Sequence, residues 1–231
     1  MFEKIIFIGG GPCSGTTLLN SWLKRHKDMA SSDETWAVDS LCILKQNLVK
    51  QNWFNADDNI IFNEVFQNLL SKSKLSKDKK YLLHHNTRIT NIIDQVFEIF
   101  PEAYYILVIR DGRRVIASMK AKWFLNKYQT TLPYYLVQAV RKWCKYADFI
   151  INNNLPSKTL LIKYNDIQSG IDKKIIDFLE ISHDKIDLDT RINSNFQEIK
   201  QENYWKEYLD EKEKNLISCM NERLLKLGFE I

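Results

Sequence analysis

A glycine-rich segment near the start of the chain carries the residues whose types and spacing point most directly to chemistry. The apolar, β-favouring run from Ile5 to Ile8 leads into the segment G-G-G-P-C-S-G-T-T-L-L. Four of the seven glycines lie between Gly9 and Gly15, which predicts a sharp turn from a buried strand into a helix. The backbone N–H groups and the dipole at the start of such a helix form an anion site.

The polar groups of this turn suit a phosphate-like ligand. Its residues are Pro12, Cys13, Ser14, Gly15, Thr16 and Thr17. The hydroxyl groups add hydrogen-bond donors to those of the backbone. The ATP-type loop G-x-x-x-x-G-K-[ST] requires a lysine after its last glycine, where this chain has Thr16. The pattern therefore indicates an anion site without the usual lysine and magnesium, or else a glycine turn that only joins a strand to a helix.

A second candidate anion site follows the apolar run Y-Y-I-L-V-I that ends at Ile109. Arg110 comes directly after this run, where a guanidinium is costly to bury without an anionic partner. Ser118 lies eight residues further on, in the predicted helix, on a face that looks back toward the strand end. The arginine fork and the hydroxyl suit a terminal phosphate. The alternative is an ion pair of Arg110 with Asp111 or Glu34.

The order of elements predicts an α/β fold. Strand-like runs at 5–8, 81–84, 104–109 and 158–164 alternate with helical patterns, which indicates a P-loop-like three-layer fold with a mainly parallel central sheet flanked by helices. We expect one domain over residues 1–231. Helical spacing predicts that the following side chains face inward: Leu41, Leu44, Leu48, Phe62, Val65, Phe66 and Leu69. Because ligands bind beyond the carboxyl ends of parallel strands, both anion motifs are expected at one edge of the sheet.

Composition narrows the class of protein. A chain of 231 residues with 45% apolar and 27% charged residues is typical of a globular protein. Its net charge of +4 suits an anionic ligand but does not indicate nucleic-acid binding. No apolar run approaches the ~20 residues that span a membrane, and the first strand leaves no room for a signal peptide. Four scattered cysteines suggest reduced thiols, so we expect a cytoplasmic protein without a metal site.

The two anion motifs together resemble those of the sulfotransferases that use 3′-phosphoadenosine 5′-phosphosulfate, in particular the tyrosylprotein sulfotransferase-like branch. The segment G-G-G-P-C-S-G-T-T-L-L is similar to that family's 5′-phosphosulfate loop. V-I-R-D-G-R-R-V-I-A-S-M resembles its 3′-phosphate motif, and L-I-K-Y-N-D-I resembles its later strand, with a tyrosine near the nucleotide. S-D-E-T-W falls where the family has an acidic residue in a G-E-E-T-R-like stretch.

The resemblance implies a role for each matching residue. Residues 12–17 would hold the 5′-phosphosulfate, Arg110 and Ser118 would hold the 3′-phosphate, and Tyr164 would lie near the nucleotide. Glu34 would be the general base that takes the proton of a hydroxyl or amine acceptor. That acceptor could be a sugar, phenol, peptide or small molecule. Without the resemblance, Glu34 is an exposed loop carboxylate.

One position departs from the family pattern. The family has arginine or lysine where this chain has Cys13, which cannot supply a positive charge to the leaving oxygen. Removing one such group typically lowers the rate on the order of a hundredfold. A protonated His85, near the family's lysine position at a strand end, is a candidate replacement; otherwise it is an ordinary strand-end residue. The sequence therefore predicts a sulfotransferase and leaves two alternatives open: a catalytically impaired nucleotide-binding protein of the same fold, or a P-loop small-molecule kinase.

Overall fold

A five-stranded, fully parallel sheet forms the centre of the molecule. The structure, a computed structural model, describes residues 2–32, 36–76, 78–121, 132–152, 155–168, 172–182 and 204–231. The strands are β1 (Lys4–Gly10), β2 (Met29–Ser31), β3 (Tyr81–His85), β4 (Tyr104–Ile109) and β5 (Thr159–Lys163). Their order across the sheet is β2-β3-β1-β4-β5, and every neighbouring pair is parallel. The predicted α/β class with a parallel sheet is confirmed.

Helices connect the strands and continue beyond the last one. They are α1 (Thr16–Leu23), α2 (Ala37–Lys50), α3 (Asn59–Ser71), α4 (Ile93–Ile99), α5 (Gly112–Met119), α6 (Leu132–Asn152), α7 (Tyr164–Gln168), α8 (Asp172–Leu179), α9 (Tyr204–Tyr208), α10 (Glu211–Ile217) and α11 (Asn221–Lys226). Short 3₁₀ segments include Thr87–Asn91 before α4 and Ser218–Met220 between α10 and α11.

The two faces of the sheet are buried under different helices. Ile6 and Ile8 of β1 pack with Leu19 of α1 and Ile175 of α8, whereas Phe7 packs with residues of α2, α3 and α4. This alternation follows from the two-residue side-chain period of a strand. Because both faces are covered, the central strands read as continuous apolar runs, which is the pattern that made them recognisable in the sequence.

A third apolar cluster lies beside the sheet and supports the segment that follows β4. It joins α5, α6 and the C-terminal helices through Val115, Trp143, Ile217 and Met220. Gly112, at the start of α5, fits directly against two of these side chains, because an added Cβ would lie 2.7 Å from Trp143 and 2.8 Å from Met220. The C-terminal helices therefore stabilise the position of α5.

Several predicted details were wrong. The sequence showed no strand-like run between 9 and 80, yet this part of the chain contains the short edge strand β2. Among the predicted inward positions, Leu44, Val65 and Leu69 are exposed, whereas Leu41, Phe62 and Phe66 are buried. At the C-terminus, a 3₁₀ turn separates α10 from α11. Gly228 follows α11 with a left-handed φ of 71°, which is typical of the residue that ends a helix.

Within the described part of the chain, no helix combines the length and the apolar character that crossing a bilayer requires.

Folding places an uncharged histidine in the core beside the sheet. His84 is 1% exposed and its Nδ1 lies 2.8 Å from the Ser32 hydroxyl. Burial, with a smaller contribution from the charge of His85, lowers the pKa of His84 from 6.5 to about 4. Below pH 6.5 the unfolded chain therefore binds a proton that the folded chain does not, so stability is lost as the pH falls toward 4.

We predict that the free energy of unfolding falls by about 2 kcal/mol because of His84 when the pH is lowered from about 7 to about 5. Urea unfolding of the wild type and of His84→Gln at both pH values measures this contribution. When the pH is lowered over this interval, the wild type is expected to lose about 2 kcal/mol more stability than the variant. Equal losses in the two proteins would show that His84 is not the group responsible.

Candidate functional site

The glycine-rich loop forms a tight turn between β1 and α1. Gly15 precedes the helix with a left-handed φ of 98°, and Cys13 is also left-handed with a φ of 58°. The Ser14 backbone and hydroxyl both donate to the Gly11 carbonyl oxygen, which closes the turn. An added Cβ at Gly10 would lie 2.6 Å from Thr16 Cγ2, so the loop folds closely back over the end of the strand. Thr16 is buried and Thr17 is exposed at the helix start.

Arg110 connects the second predicted anion motif to this loop. It follows β4, the strand that neighbours β1. Its Nη1 donates to the Cys13 carbonyl oxygen over 2.7 Å, and its guanidinium carbon lies 4.3 Å from the centroid of the Tyr164 ring. Tyr164 begins α7, directly after β5. Residues from the ends of three adjacent strands therefore meet at one edge of the sheet, as the sequence predicted.

Tyr164 packs tightly on the loop because Gly15 has no side chain. An added Cβ at Gly15 would lie 2.4 Å from Tyr164 Cδ2. Glycine is thus required twice at this position, once for its left-handed φ and once for the close approach of the ring. This contact brings the first residue of α7 against the loop and beside Arg110.

The three arginines of the R-D-G-R-R segment have different partners. Arg113 is 7% exposed and makes two-point contacts with Asp111, the shortest at 2.6 Å. It also donates to the Glu230 carbonyl oxygen and lies 4.8 Å from the Trp205 ring centroid. The charge of Arg113 is therefore neutralised by Asp111. Asp111 was one of the two partners that the sequence allowed for Arg110, and the structure pairs it with Arg113 instead.

Arg110 and Arg114 form no ion pair with the residues that the structure describes. Arg114 is only 5% exposed, and its Nη1 donates to the neutral amide oxygen of Asn165 over 3.0 Å. The Nε atoms of both arginines are buried without a hydrogen-bond partner. A guanidinium remains charged at neutral pH, and its burial is costly when no anion compensates. Two positive charges at the end of β4 thus favour an anionic ligand.

Ser118 lies one to two turns along α5 from these arginines. Its Oγ is 2.6 Å from the Tyr204 hydroxyl, which in turn donates to the Arg114 carbonyl oxygen over 2.9 Å. The hydroxyl predicted to hold a phosphate therefore contacts α9. Tyr204 and Asn165 were not recognised in the sequence, because a lone tyrosine or asparagine has no motif around it and only long-range folding brings each to α5.

His85, the predicted source of positive charge, lies at the end of β3 in register with Ile8 of β1. It is buried at the end of a strand that adjoins the loop-bearing strand. His84 points to the opposite face, against Phe7, so the two adjacent histidines are not placed to bind one ion together. Among the described residues, no group of three or more histidines, cysteines or carboxylates has the geometry of a metal site. Glu34, the predicted base, lies outside the described residues.

The chain belongs to the sulfotransferase family. The family model described as "Sulfotransferase family" matches residues 6–185, which include the loop, Arg110, Ser118 and Tyr164. The predicted family is thus confirmed, and the tyrosylprotein-like branch is supported by curated relatives. Protein-tyrosine sulfotransferase 1 of Danio rerio is 29% identical over 123 residues, which cover 50% of this chain and 35% of the fish protein. The matched segment thus spans about a third of that relative's length.

Solved structures support the same fold over nearly the whole chain. The sulfotransferase domain from the curacin biosynthetic pathway superposes with a TM-score of 0.59 and 17% identity, covering 100% of this chain and 99% of that domain. A mouse sulfotransferase, SULT7A1 complexed with PAP, gives a TM-score of 0.59 with 13% identity over 96% of this chain and 84% of its own. The P-loop-like sulfotransferase fold is therefore shown.

We predict that Gly15→Ala lowers the free energy of unfolding by about 1–3 kcal/mol, because alanine is strained at this φ and its Cβ displaces Tyr164. Gly11→Ala is a matched control in the same loop, since a Cβ there would meet nothing within 4 Å. It is expected to change stability by less than about 0.5 kcal/mol. Denaturant unfolding of both variants measures the difference, and equal effects would contradict the tight packing at Gly15.

Proposed function

We propose that this protein transfers a sulfuryl group from 3′-phosphoadenosine 5′-phosphosulfate to a hydroxyl or amine acceptor. Membership of the sulfotransferase family supports the reaction class. The zebrafish relative is named for sulfation of protein tyrosine, and the mouse structural neighbour is complexed with PAP, which favours this donor and a phenolic acceptor as the first to test.

The observation that carries the proposal is a pair of guanidinium groups that have no ion-pair partner among the described residues and lie near the glycine-rich loop. Arg110 and Arg114 follow β4. Arg110 also contacts the glycine-rich loop, which follows the neighbouring strand β1. A ligand with two separated anionic groups can neutralise such an arrangement at two points, with loop N–H groups at one and the guanidinium fork at the other. A nucleotide with a 3′-phosphate and a 5′-phosphosulfate has this charge distribution.

Arg110 also bears on the departure at Cys13. The side chain at this position supplies no charge, but its backbone carbonyl accepts a hydrogen bond from Arg110 over 2.7 Å. A positive group is therefore held against the loop even though residue 13 is not basic. This favours a competent enzyme over the impaired nucleotide-binding protein, because positive charge near the loop stabilises negative charge that develops on a leaving oxygen.

The remaining residues take the roles that the family resemblance implies. Loop residues 12–17 would hold the 5′-phosphosulfate, Arg110 and Ser118 would hold the 3′-phosphate, and Tyr164 would lie near the nucleotide. When bound, the cosubstrate supplies the sulfuryl group. Glu34 would accept the proton of the acceptor, and His85 would contribute positive charge from the end of β3. The protein thus mainly positions the reactants and neutralises charge, as in phosphoryl transfer.

We predict that Arg110→Ala weakens the binding of adenosine 3′,5′-bisphosphate by roughly 10- to 100-fold, because hydrogen bonds to a charged group contribute about 1.5–3 kcal/mol. Isothermal titration calorimetry of the purified chain measures the change. Arg114→Gln keeps a similar length but removes the second guanidinium, and we expect a loss in the same range. Arg141, an exposed arginine of α6, provides the control variant Arg141→Gln, which should bind like the wild type.

Unchanged affinity in both Arg110→Ala and Arg114→Gln would contradict the proposed site. A thermal melt of each variant separates lost binding from lost folding, since the bisphosphate stabilises only the folded chain. Stabilisation by ATP and magnesium instead of the bisphosphate would favour the small-molecule kinase.

The transfer reaction itself needs a turnover assay. Labelled donor is incubated with a tyrosine peptide, a simple phenol, a sugar and an amine, and transfer to any of them supports the enzyme. Tight bisphosphate binding without transfer to any acceptor would instead indicate the catalytically impaired nucleotide-binding protein.

A further inference from the structure

Folding brings two cysteines together that are 75 residues apart in the chain. Cys144 lies on α6, and Cys219 lies in the 3₁₀ segment between α10 and α11. The Cys219 thiol donates a hydrogen bond to the Leu216 carbonyl oxygen over 3.2 Å. Burial raises the pKa of the Cys144 thiol to about 11, and the nearby Cys219 thiol adds to this rise. Asp148 raises the same pKa and Arg223 lowers it. Cys219, Asp148 and Arg223 therefore all lie close enough to Cys144 to shift the pKa of its thiol.

An ion pair one helical turn further along fixes this arrangement. Asp148 follows Cys144 by four residues, and Arg223 follows Cys219 by four. The Arg223 guanidinium binds the Asp148 carboxylate at two points, 2.7 Å and 2.8 Å, and also donates to the Cys219 carbonyl oxygen over 3.2 Å. The ion pair therefore holds α6 against α11 at a point four residues beyond each cysteine.

The residues next to the two cysteines are fixed as well. Trp143 and Met220 both pack on Gly112, and the Trp143 indole donates to the Arg110 carbonyl oxygen over 2.9 Å. The thiol pair is thus held from two sides, by the Asp148–Arg223 ion pair and by this apolar contact. It does not belong to the candidate anion site, but it lies directly behind the elements that carry it.

We propose that Cys144 and Cys219 form a redox-modification site that closes to a disulfide by exchange with a low-molecular-weight disulfide such as oxidised glutathione. The Cys219 thiolate attacks one glutathione sulfur, forms a mixed disulfide and releases one glutathione thiolate. The Cys144 thiolate then attacks the Cys219 sulfur and releases the second glutathione. In total, two protein thiols are oxidised to one disulfide, and one glutathione disulfide is reduced to two thiols.

Access decides the order of these steps. Cys219 is exposed, whereas Cys144 is half-buried. The thiolate is the reacting species, so the high pKa of Cys144 makes the second step slow near neutral pH. Below that pKa, its rate rises about tenfold for each pH unit, as the thiolate fraction does. The mixed disulfide on Cys219 is therefore an observable intermediate.

The other two cysteines are placed differently. Cys42 is 1% exposed, and burial, with the nearby charge of Asp39, raises its pKa to about 12. Cys13 belongs to the glycine-rich loop. The exchange is therefore expected at the exposed Cys219 and its neighbour Cys144 rather than at the buried Cys42.

Closure of this disulfide ties α6 to the C-terminal helices. Those helices also hold α5, because Ser118 contacts Tyr204 and Lys120 forms a 2.7 Å ion pair with Glu213. A cross-link over so long a loop strongly reduces the freedom of the unfolded chain. We expect the oxidised protein to melt about 5–10 °C higher than the reduced one. The disulfide is therefore expected to stabilise the packing of α6 against the C-terminal helices, which hold α5 in place at the candidate site.

The test uses the full chain and oxidised glutathione. Intact mass spectrometry over time is expected to show one added glutathione that then disappears with the loss of two hydrogens relative to the reduced chain. Peptide mapping without reduction is expected to find the link between Cys144 and Cys219. Differential scanning calorimetry before and after oxidation, and again after dithiothreitol, measures the reversible rise in Tm.

Single variants identify each step. Cys144→Ser should stop at the mixed disulfide on Cys219, Cys219→Ser should form no cross-link, and Cys42→Ser, the control, should behave like the wild type. A wild type that retains glutathione as long as Cys144→Ser does, or a disulfide mapped to any other pair, would overturn the proposal. The outcome does not depend on the proposed sulfotransferase function, since the test uses neither donor nor acceptor.

Discussion

The hydrogen bond from Arg110 to the Cys13 carbonyl oxygen is the interaction on which the arrangement of the site depends. It joins the end of β4 to the loop after β1, and stacking on Tyr164 adds the end of β5. A carbonyl and an aromatic ring orient a guanidinium without neutralising it. The positive charge is therefore fixed in place at the sheet edge, where it remains available to an anion. A carboxylate in place of the Cys13 carbonyl would have neutralised the charge of Arg110.

The surroundings provide that orientation at two levels. Close to the loop, Gly15 allows the Tyr164 ring to approach, because it has no Cβ. Further away, the C-terminal helices hold α5 through the Tyr204 hydroxyl and the buried Glu213 carboxylate. Arg113 and Asp111 form a closed ion pair within the same segment, so one arginine secures the backbone while its neighbours keep their charge. The support and the charge are thus assigned to different residues of one short motif.

Particular elements show why some predictions succeeded and others did not. The central strands are buried on both faces, so their apolar runs are unambiguous: the predicted run 104–109 coincides with β4, and the predicted run 5–8 covers the middle of β1 (Lys4–Gly10). The edge strand β2 has three residues and pairs on one side, which leaves almost no pattern to recognise. In α3, helical spacing correctly selected Phe62 and Phe66. It failed at Val65 and Leu69, the latter 66% exposed, because amphipathic spacing does not reveal how wide the covered face is.

The sequence by itself determined the strand–glycine turn–helix, the arginine after the strand that ends at Ile109 and the sulfotransferase family, because each is recognised from short motifs whose own residues are close together in the chain. Only the tertiary structure decided which of three nearly adjacent arginines pairs with Asp111, which residue contacts Ser118, and that Cys144 lies near Cys219. Ser118 and Tyr204 are 86 positions apart in the chain, and Cys144 and Cys219 are 75 positions apart. Such contacts depend on how the helices pack, and local propensity contains no information about this packing.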